Sequence, residues 1–226
     1  QGVTSFVQDI GSWDVSNVTN MNSMFRSSFG NLNIEGWNVS NVDNMGFMFF
    51  SCATFNRDIS GWNISSVTNA RQMFQGADSF DQNLSSWDVS NVSNFTNFLG
   101  APTTADAVTL STANYDALLI GWAAQTLQPN VSFSGGDSIY TPGGAAETAR
   151  GVLTGAPNNW TVTDGGNGAY VFATRAELVT AVNLWVSDQA AAITTYGQIS
   201  TWDVTGVGNM DNLFEGLAFN SNVNNW

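Results

Sequence analysis

The sequence predicts an α/β protein built as a right-handed solenoid, with one short parallel strand and one short helix per coil and helical capping segments. The first observation is a segment of fixed composition whose Trp residues lie 24, 25 and 25 positions apart, and 24 apart near the C-terminus. A fixed period of about 20 to 30 residues is typical of solenoids, in which each unit covers the apolar face of its neighbour. The second observation is that each repeat contains a strand-like segment followed by a helix-like return. A connection of this kind between two parallel strands is right-handed.

Five copies of the repeat share a Trp, an apolar residue two positions later and an Asn seven positions later. They read WDVSNVTNMNSMF from Trp13, WNVSNVDNMGFMF from Trp37, WNISSVTNARQMF from Trp62, WDVSNVSNFTNFL from Trp87 and WDVTGVGNMDNLF from Trp202.

Each copy divides into two predicted elements. The β-branched and aromatic residues of segment 59–64 are typical of a short strand. In segment 18–25 the apolar residues follow one another at spacings of three, three and one, which favours a short helical return over a second strand.

The repeat residues with special chemistry are predicted to be structural. We expect the Trp side chains to form one inward-facing row, composed of Trp13, Trp37, Trp62, Trp87 and Trp202. We expect the repeated Asn to be buried and to hydrogen-bond the backbone of a turn in each coil, rather than to bind a ligand. This predicted Asn ladder consists of Asn20, Asn44, Asn69, Asn94 and Asn209.

The position directly after each Trp is interpreted as a turn former. It is occupied by Asp14, Asn38, Asn63, Asp88 and Asp203. A position that accepts an acid and an amide equally is typical of a turn and not of a catalytic carboxylate.

These residues resemble a known family. The pattern F-x-x-D-I-S-x-W-D-V-S-N-V-T-N-M-x-x-M-F, over residues 6–99 and 196–226, is similar to the repeats of the BspA-type leucine-rich repeat surface proteins. The resemblance implies a leucine-rich-repeat-like solenoid on a cell surface, used for adhesion or for building a matrix. The I-x-x-W-x-V core keeps the L-x-x-L-x-L spacing, but the repeated Asn does not fall at the usual Asn position of such repeats.

The Trp repeat stops near residue 100, and longer, atypical coils are predicted to close the array over 101–168. We expect strands at 107–110, 130–134 and 159–163, and a helix over 143–153. Another helix is expected after Ser111, because apolar residues spaced as i, i+3, i+4 and i+7 form one helical face. That face consists of Tyr115, Leu118, Leu119 and Trp122.

A second cassette is predicted after a Gly-rich linker at 164–168. The sequence TRAE at 174–177 is a capping box, and it opens a helix with Leu178, Val182, Trp185 and Val186 on one face. The resemblance supports this interpretation, since similar segments precede BspA-type repeats. The predicted domains are the repeat solenoid at 1–100, the closing coils at 101–168, the linker and helical cap at 169–200, and a new array at 201–226.

The composition disfavours several functions. The net charge is −13, with five basic residues, 18 acidic ones and no His or Lys. Binding to nucleic-acid phosphates and to anionic membranes is therefore disfavoured, and no apolar run is long enough to span a bilayer. The usual general bases and activated nucleophiles are missing, so we expect no enzyme, no catalytic residue and no cofactor. Cys52 is expected to be a small packing residue, and no metal is predicted, the acidic turn at 164–168 being a weak calcium signal.

Eight N-x-S/T sequons occur, either as a by-product of the repeat or as sites of N-glycosylation. Asn94 belongs to the predicted ladder and should stay unmodified. The remaining candidates are Asn17, Asn38, Asn63, Asn83, Asn91, Asn130 and Asn159, and turn positions such as Asn17 and Asn91 are favoured.

Together these features predict a non-enzymatic extracellular or cell-surface repeat protein that provides an adhesive or structural surface. We expect the chain, which starts at Gln1, to be one piece of a larger tandem-cassette protein or filament. Its partners would be neighbouring cassettes, copies of itself, or other surface and matrix components. Two alternatives stay open: a ligand-binding receptor ectodomain, and a carbohydrate-active enzyme that uses a pair of carboxylates.

Overall fold

The computed structural model describes residues 8–28, 30, 32–197, 199–223 and 226. Over these residues the protein is mixed α/β, with few strands. Strands β1 and β2 form a two-stranded parallel sheet in which Phe133 is opposite Val162. The elements are α1 (Thr112–Ala123), β1 (Ser132–Ser134), α2 (Ala145–Thr154), β2 (Thr161–Thr163), α3 (Arg175–Ser187), α4 (Gln189–Tyr196) and a 3-10 helix (Ile199–Thr201).

The chain divides into two units. Unit 1 comprises Gln1–Tyr140 and Ala149–Gly166, and unit 2 comprises Thr141–Thr148 and Asn167–Trp226. The division after Gly166 falls inside the predicted linker. Segment 141–148, which we expected among the closing coils, is instead part of unit 2.

Neighbouring repeats of unit 1 are joined by backbone hydrogen bonds in a constant register. Parallel bridges pair Asn20 with Asn44, Asn44 with Asn69, and Asn69 with Asn94. Beyond each bridge, every second amide donates to the following repeat. Between the first two repeats, the amides of Met21, Ser23, Phe25 and Ser27 donate in order to the carbonyls of Asn44, Gly46, Met48 and Phe50.

The prediction of a short helix in each repeat is wrong, because overlapping turns occupy that segment instead. The amides alternate between the next repeat and a carbonyl three residues earlier; Met24, for example, donates to Met21 at 3.1 Å. An α-helix would direct consecutive amides to carbonyls four residues earlier within the same segment. The strand predicted at 59–64 is also a turn, in which the Trp62 amide donates to Ile59 at 3.0 Å.

These turns use a left-handed backbone at two repeated positions. One lies 14 residues after four of the Trp residues, at Ser27, Ser51, Gly76 and Gly216. The other lies ten residues after each Trp. The φ angles there lie between 52° and 59°, at Ser23, Phe47, Gln72, Asn97 and Asn212. Asn adopts this conformation readily, whereas it is unfavourable for a bulky residue such as Phe47.

The stacked register continues beyond the Trp repeats into the middle of the chain. Phe95 forms a parallel bridge with Phe133, the Leu99 amide donates to Ser134, and β1 then pairs with β2. Strands β1 and β2 and helix α2 confirm the predicted elements at 130–134, 159–163 and 143–153. The strand predicted at 107–110 is wrong: Val108 bonds to the Leu99 carbonyl, but no ladder extends from this contact.

Helix α1 confirms the predicted apolar face. Its buried residues are Tyr115, Leu118, Leu119 and Trp122. The helix approaches the stack closely at Gly121, where a Cβ atom would lie 2.3 Å from the carbonyl oxygen of Ser85. Glycine is therefore required at this contact.

The core of unit 1 is built from aromatic side chains that repeat in register. The rings of Phe49 and Phe55 are stacked with centroids 3.9 Å apart, and those of Phe74 and Phe80, one repeat later, are 4.0 Å apart. Phe49 also stacks on Phe74 at 5.5 Å. Aromatic burial therefore joins the repeats as well as filling them.

Unit 2 has its own apolar core around Phe172 and Trp202. The predicted capping box begins α3, since the Thr174 hydroxyl accepts from the Glu177 amide and Glu177 accepts from the Ala173 amide. On the predicted face Leu178, Val182 and Trp185 are buried, but Val186 is 37% exposed. Val186 lies four residues after Val182, at the edge of this face and one residue before α3 ends at Ser187.

Candidate functional site

The repeated Trp residues hold neighbouring repeats together through their indole nitrogens. Nε1 of Trp37 donates to the carbonyl of Ile10 at 3.0 Å, Trp62 donates to Ile34 at 3.1 Å, and Trp87 donates to Ile59 at 3.0 Å. Each acceptor lies three residues before the Trp of the preceding repeat. We call this bond the indole link. It ties one repeat to the next at a buried position, because these three Trp side chains are at most 4% exposed.

Trp13 departs from the predicted inward row, because its side chain is 53% exposed. In the next three repeats the equivalent Trp donates to a carbonyl 27 or 28 residues earlier. Trp202 is 1% exposed, but its Nε1 donates within its own segment, to Gly197 at 3.2 Å.

Three further Trp residues make the same kind of bond, although they lie outside the predicted row. Nε1 of Trp122, in α1, donates to the carbonyl of Leu84 at 3.0 Å. Leu84 lies three residues before Trp87. Trp160 donates to Gln128 at 2.8 Å. In unit 2, Trp226 donates to Ile199 at 2.9 Å. The 24-residue spacing from Trp202 pointed to Trp226, whereas the irregular spacing of Trp122 and Trp160 gave no such signal.

The predicted Asn ladder lies nearer the surface than expected. Asn44, Asn69 and Asn94 are half-buried, and Asn20 and Asn209 are exposed, so the prediction of burial is wrong. The backbone bond is present at every position, where Oδ1 accepts from the amide two residues later at 2.7–3.1 Å. In addition, Nδ2 of Asn69 donates to Oδ1 of Asn44 at 3.1 Å. In the first four repeats the inward side of the turn is filled by the apolar residue that follows the Asn, which is buried at Met21, Met45, Ala70 and Phe95.

The acid or amide after each Trp is a turn former, as predicted. Oδ1 of Asn63 accepts from the Ser65 amide and hydroxyl, at 3.1 and 2.7 Å, and Asp203 makes the same bonds to Thr205. Hydrogen bonds from the hydroxyl and the amide of Ser16 likewise lower the pKa of Asp14 below its usual value. These carboxylates are thus engaged in local turns, and the matching amides perform the same role.

The seven candidate glycosylation residues are all exposed. Several are already bonded: Oδ1 of Asn38 accepts from Ser40, and Oδ1 of Asn83 accepts from Ser85. Nδ2 of Asn91 donates to the Ser65 carbonyl of the preceding repeat at 2.8 Å. A glycan on this nitrogen would disturb a bond between repeats, which makes Asn91 a poorer candidate than the sequence suggested.

Asp164 is the polar centre of the closing segment, a role that the sequence did not reveal. Its carboxylate, 2% exposed, accepts from the Tyr115 hydroxyl at 2.7 Å and from Arg150 Nε and Nη2 at 2.8 and 3.1 Å. Burial, and then the charge of Asp164, raise the pKa of Tyr115 well above its usual value. Burial lowers the pKa of Arg150, but its bond to Asp164 and the charge of that carboxylate outweigh this and raise it. The network joins α1, α2 and the end of β2.

The only carboxylate of the turn at 164–168, that of Asp164, is therefore engaged in an internal ion pair with Arg150. Among the described residues, no group of three or more His, Cys, Asp or Glu side chains is placed to hold a metal ion. Cys52 is 2% exposed, its sulfur lies 2.8 Å from the Phe25 carbonyl oxygen, and burial raises its pKa. None of the helices in the described part of the chain is both long and apolar enough to cross a bilayer.

One surface region breaks the repeat pattern in a cluster. Phe47 and Phe50 are half-buried, at positions that carry Gln72 and Gln75 in the next repeat. The guanidinium carbon of Arg26 lies 5.3 Å from the ring centroid of Phe47 and 4.7 Å from that of Phe50. The Arg71 guanidinium carbon lies 5.4 Å from the Phe47 centroid. We call Arg26, Phe47, Phe50 and Arg71 the Arg–Phe patch.

Unit 2 contains a cavity of about 220 Å³ between α3 and the last repeat. Its lining includes Trp185, Gln189 and Phe219. The volume is below the roughly 300–1,000 Å³ that small-molecule sites enclose, so the cavity is a weaker candidate than the Arg–Phe patch.

This geometry defines a class of protein: a mixed α/β repeat protein whose successive repeats are joined in register by backbone bonds, indole links and Asn side chains. The chain belongs to the family described as "Mycoplasma protein of unknown function, DUF285", which matches residues 1–110 and 183–226, more than half of the chain. No curated protein and no solved structure gives a significant match.

Proposed function

We propose that this chain is a non-enzymatic extracellular repeat protein that provides an adhesive or structural surface, as one piece of a larger tandem-cassette protein or filament. The BspA-type resemblance supports a leucine-rich-repeat-like, right-handed solenoid as its architecture. Its partners on this proposal are neighbouring cassettes, copies of itself, and other surface or matrix components.

The observation that supports the proposal most is the use of the repeat's polar groups. Carboxylates and amides such as Asp203 and Asn63 close local turns, while Asn91 and the indole of Trp62 bond to the preceding repeat. Side chains that an enzyme would direct at a substrate serve here to extend the array. This use suits a protein whose function is to present a long surface.

The proposal is tested on intact cells that produce the natural protein. We expect external protease to remove the chain from intact cells while a cytoplasmic marker survives, and cells lacking the gene to adhere less to coated matrix proteins. A chain that is degraded only after the cells are lysed would contradict the extracellular assignment. Unchanged adhesion without the gene would contradict the adhesive role.

The Arg–Phe patch favours a second candidate function, a ligand-binding receptor ectodomain. In a purely structural array, departures from the repeat should be scattered, whereas the patch gathers side chains of three successive repeats around Phe47. A ligand of defined chemistry that binds only there would move the conclusion from scaffold to receptor.

A further inference from the structure

We propose that the Arg–Phe patch is a docking surface for an acidic peptide segment of a partner protein, with its carboxylates on Arg26 and Arg71 and an apolar side chain beside Phe47 and Met24. This inference rests on the proposed function, because it names the partner class that the adhesive surface would recognise.

The first argument is the state of the two guanidinium groups. Within the described part of the chain, neither Arg26 nor Arg71 donates a side-chain hydrogen bond or pairs with a carboxylate. The other three arginines are engaged: Arg57 with Glu35, Arg150 with Asp164, and Arg175 with the Asp211 carbonyl. In a chain of net charge −13, two adjacent arginines without an acceptor form a local cationic point that can attract an acidic partner.

The second argument is the placement of these groups. Arg26 reaches Phe47 from the preceding repeat and Arg71 reaches it from the following one. Cation–π contact with the rings holds both side chains near one place, so their planar donors are positioned for carboxylates. Arginine and aromatic side chains in contact are also the residues that contribute most to protein interfaces.

The third argument is the backbone of Phe47. Its φ is +58°, and the equivalent residues are Ser23, Gln72, Asn97 and Asn212. A bulky ring in this left-handed region is strained, so what is particular to Phe47 is its ring and not its backbone, which all five repeats share. The phenyl ring is therefore present despite a backbone position that suits Asn better.

The patch fits an acidic peptide better than an acidic polysaccharide. The guanidinium groups lie over the Phe rings, where a sugar would otherwise stack. Met24, two residues before Arg26, is 38% exposed and offers an apolar contact that a polysaccharide has no side chain to use. A peptide that combines Glu or Asp with Leu or Ile matches both the charge and the apolar surface.

The test measures binding of a fluorescein-labelled peptide of Glu-Glu-Leu repeats to the full chain by fluorescence polarisation. We expect Arg26→Gln combined with Arg71→Gln to weaken binding about tenfold or more, since charge-assisted bonds are lost. Phe47→Asn, which keeps the backbone seen at Asn97, should also weaken it. Higher ionic strength should reduce wild-type binding.

The matched control is Arg57→Gln combined with Arg175→Gln, which removes the same charge elsewhere and should leave binding nearly unchanged. Thermal unfolding of each variant checks that it is folded. Equal binding by the patch and control variants would overturn the proposal, as would a wild-type chain that does not bind the peptide.

Two further outcomes would also overturn it in favour of another occupant. Stronger, patch-dependent binding of labelled polygalacturonate would assign the patch to an acidic glycan. Self-association that Arg26→Gln and Arg71→Gln abolish would assign it to a second copy. The proposed function is tested separately. Normal adhesion by cells that lack the gene would contradict it, whatever the patch binds.

Discussion

At the residue scale, the Trp of three repeats has two roles: the rings of Trp37, Trp62 and Trp87 fill the core, and their N–H groups reach the preceding repeat. The sequence predicted the first role from the spacing of the Trp residues. It could not predict the second, because the acceptor is a backbone carbonyl and every residue has one. The register that selects Ile34 for Trp62 arises only when the repeats stack.

The indole link should have a measurable free energy. Trp62→Phe keeps an aromatic ring but removes the donor to Ile34, so we expect the free energy of unfolding to fall by about 1–3 kcal/mol from the lost bond and the smaller ring. Urea unfolding measures this change. Trp13→Phe is the control, because its exposed indole should be replaceable within about 0.5 kcal/mol. Equal effects at the two positions would contradict the link.

The half-buried part of the Asn ladder should stabilise the stack more than its exposed end. Asn69→Ala removes a bond to the Arg71 amide and another to Asn44, and we expect a loss of about 1 kcal/mol or slightly more. Asn20→Ala removes a single exposed bond to the Asn22 amide and should cost less. Chemical denaturation measures the loss of stability in both variants. A larger loss for Asn20→Ala than for Asn69→Ala would contradict a stabilising role for the bond between the Asn69 and Asn44 side chains.

At the scale of elements, the sequence was informative where the signals were local. Both α1 and α3 follow from apolar positions spaced for one helical face. A capping residue adds to this only in α3, because the Ser111 hydroxyl before α1 donates to Asp81 and makes no capping bond. The turns of the repeat were mistaken for a helix because spacings of three and one occur in both. A turn differs from a helix here because alternate amides, such as that of Ser23, donate to the next repeat. The acceptor of the Ser23 amide is the carbonyl of Gly46, 23 residues away.

The network around Asp164 holds three elements of the closing segment together. Replacing Asp164 by Ala leaves the partly buried Arg150 charge without its partner, so we expect a loss of roughly 2–4 kcal/mol, below that for a fully buried pair. Tyr115→Phe removes one bond and should cost about 1 kcal/mol. Thermal unfolding compares both with Asp106→Ala, at an exposed site. A loss at Asp164 no larger than at Asp106 would show that the ion pair is not structural.

At the scale of the whole molecule, the candidate surface could be predicted only in part. The repeat predicted which residues share a position, and the departures at Phe47 and Phe50 are visible in the sequence. Their meeting with Arg26 and Arg71 depends on three repeats being stacked. The inclusion of segment 141–148 in unit 2 was not predictable either, because it depends on contacts distant in the sequence.

The central claim is that this chain is a building block that joins to neighbouring cassettes and so extends a surface. Calorimetry on the single chain and on a tandem of two chains tests it most directly. If the cassettes stack, the tandem should unfold at a higher temperature than the single chain, because burying the ends of each array adds a stabilising interface. A tandem whose unfolding is the same as that of two independent chains would contradict the claim.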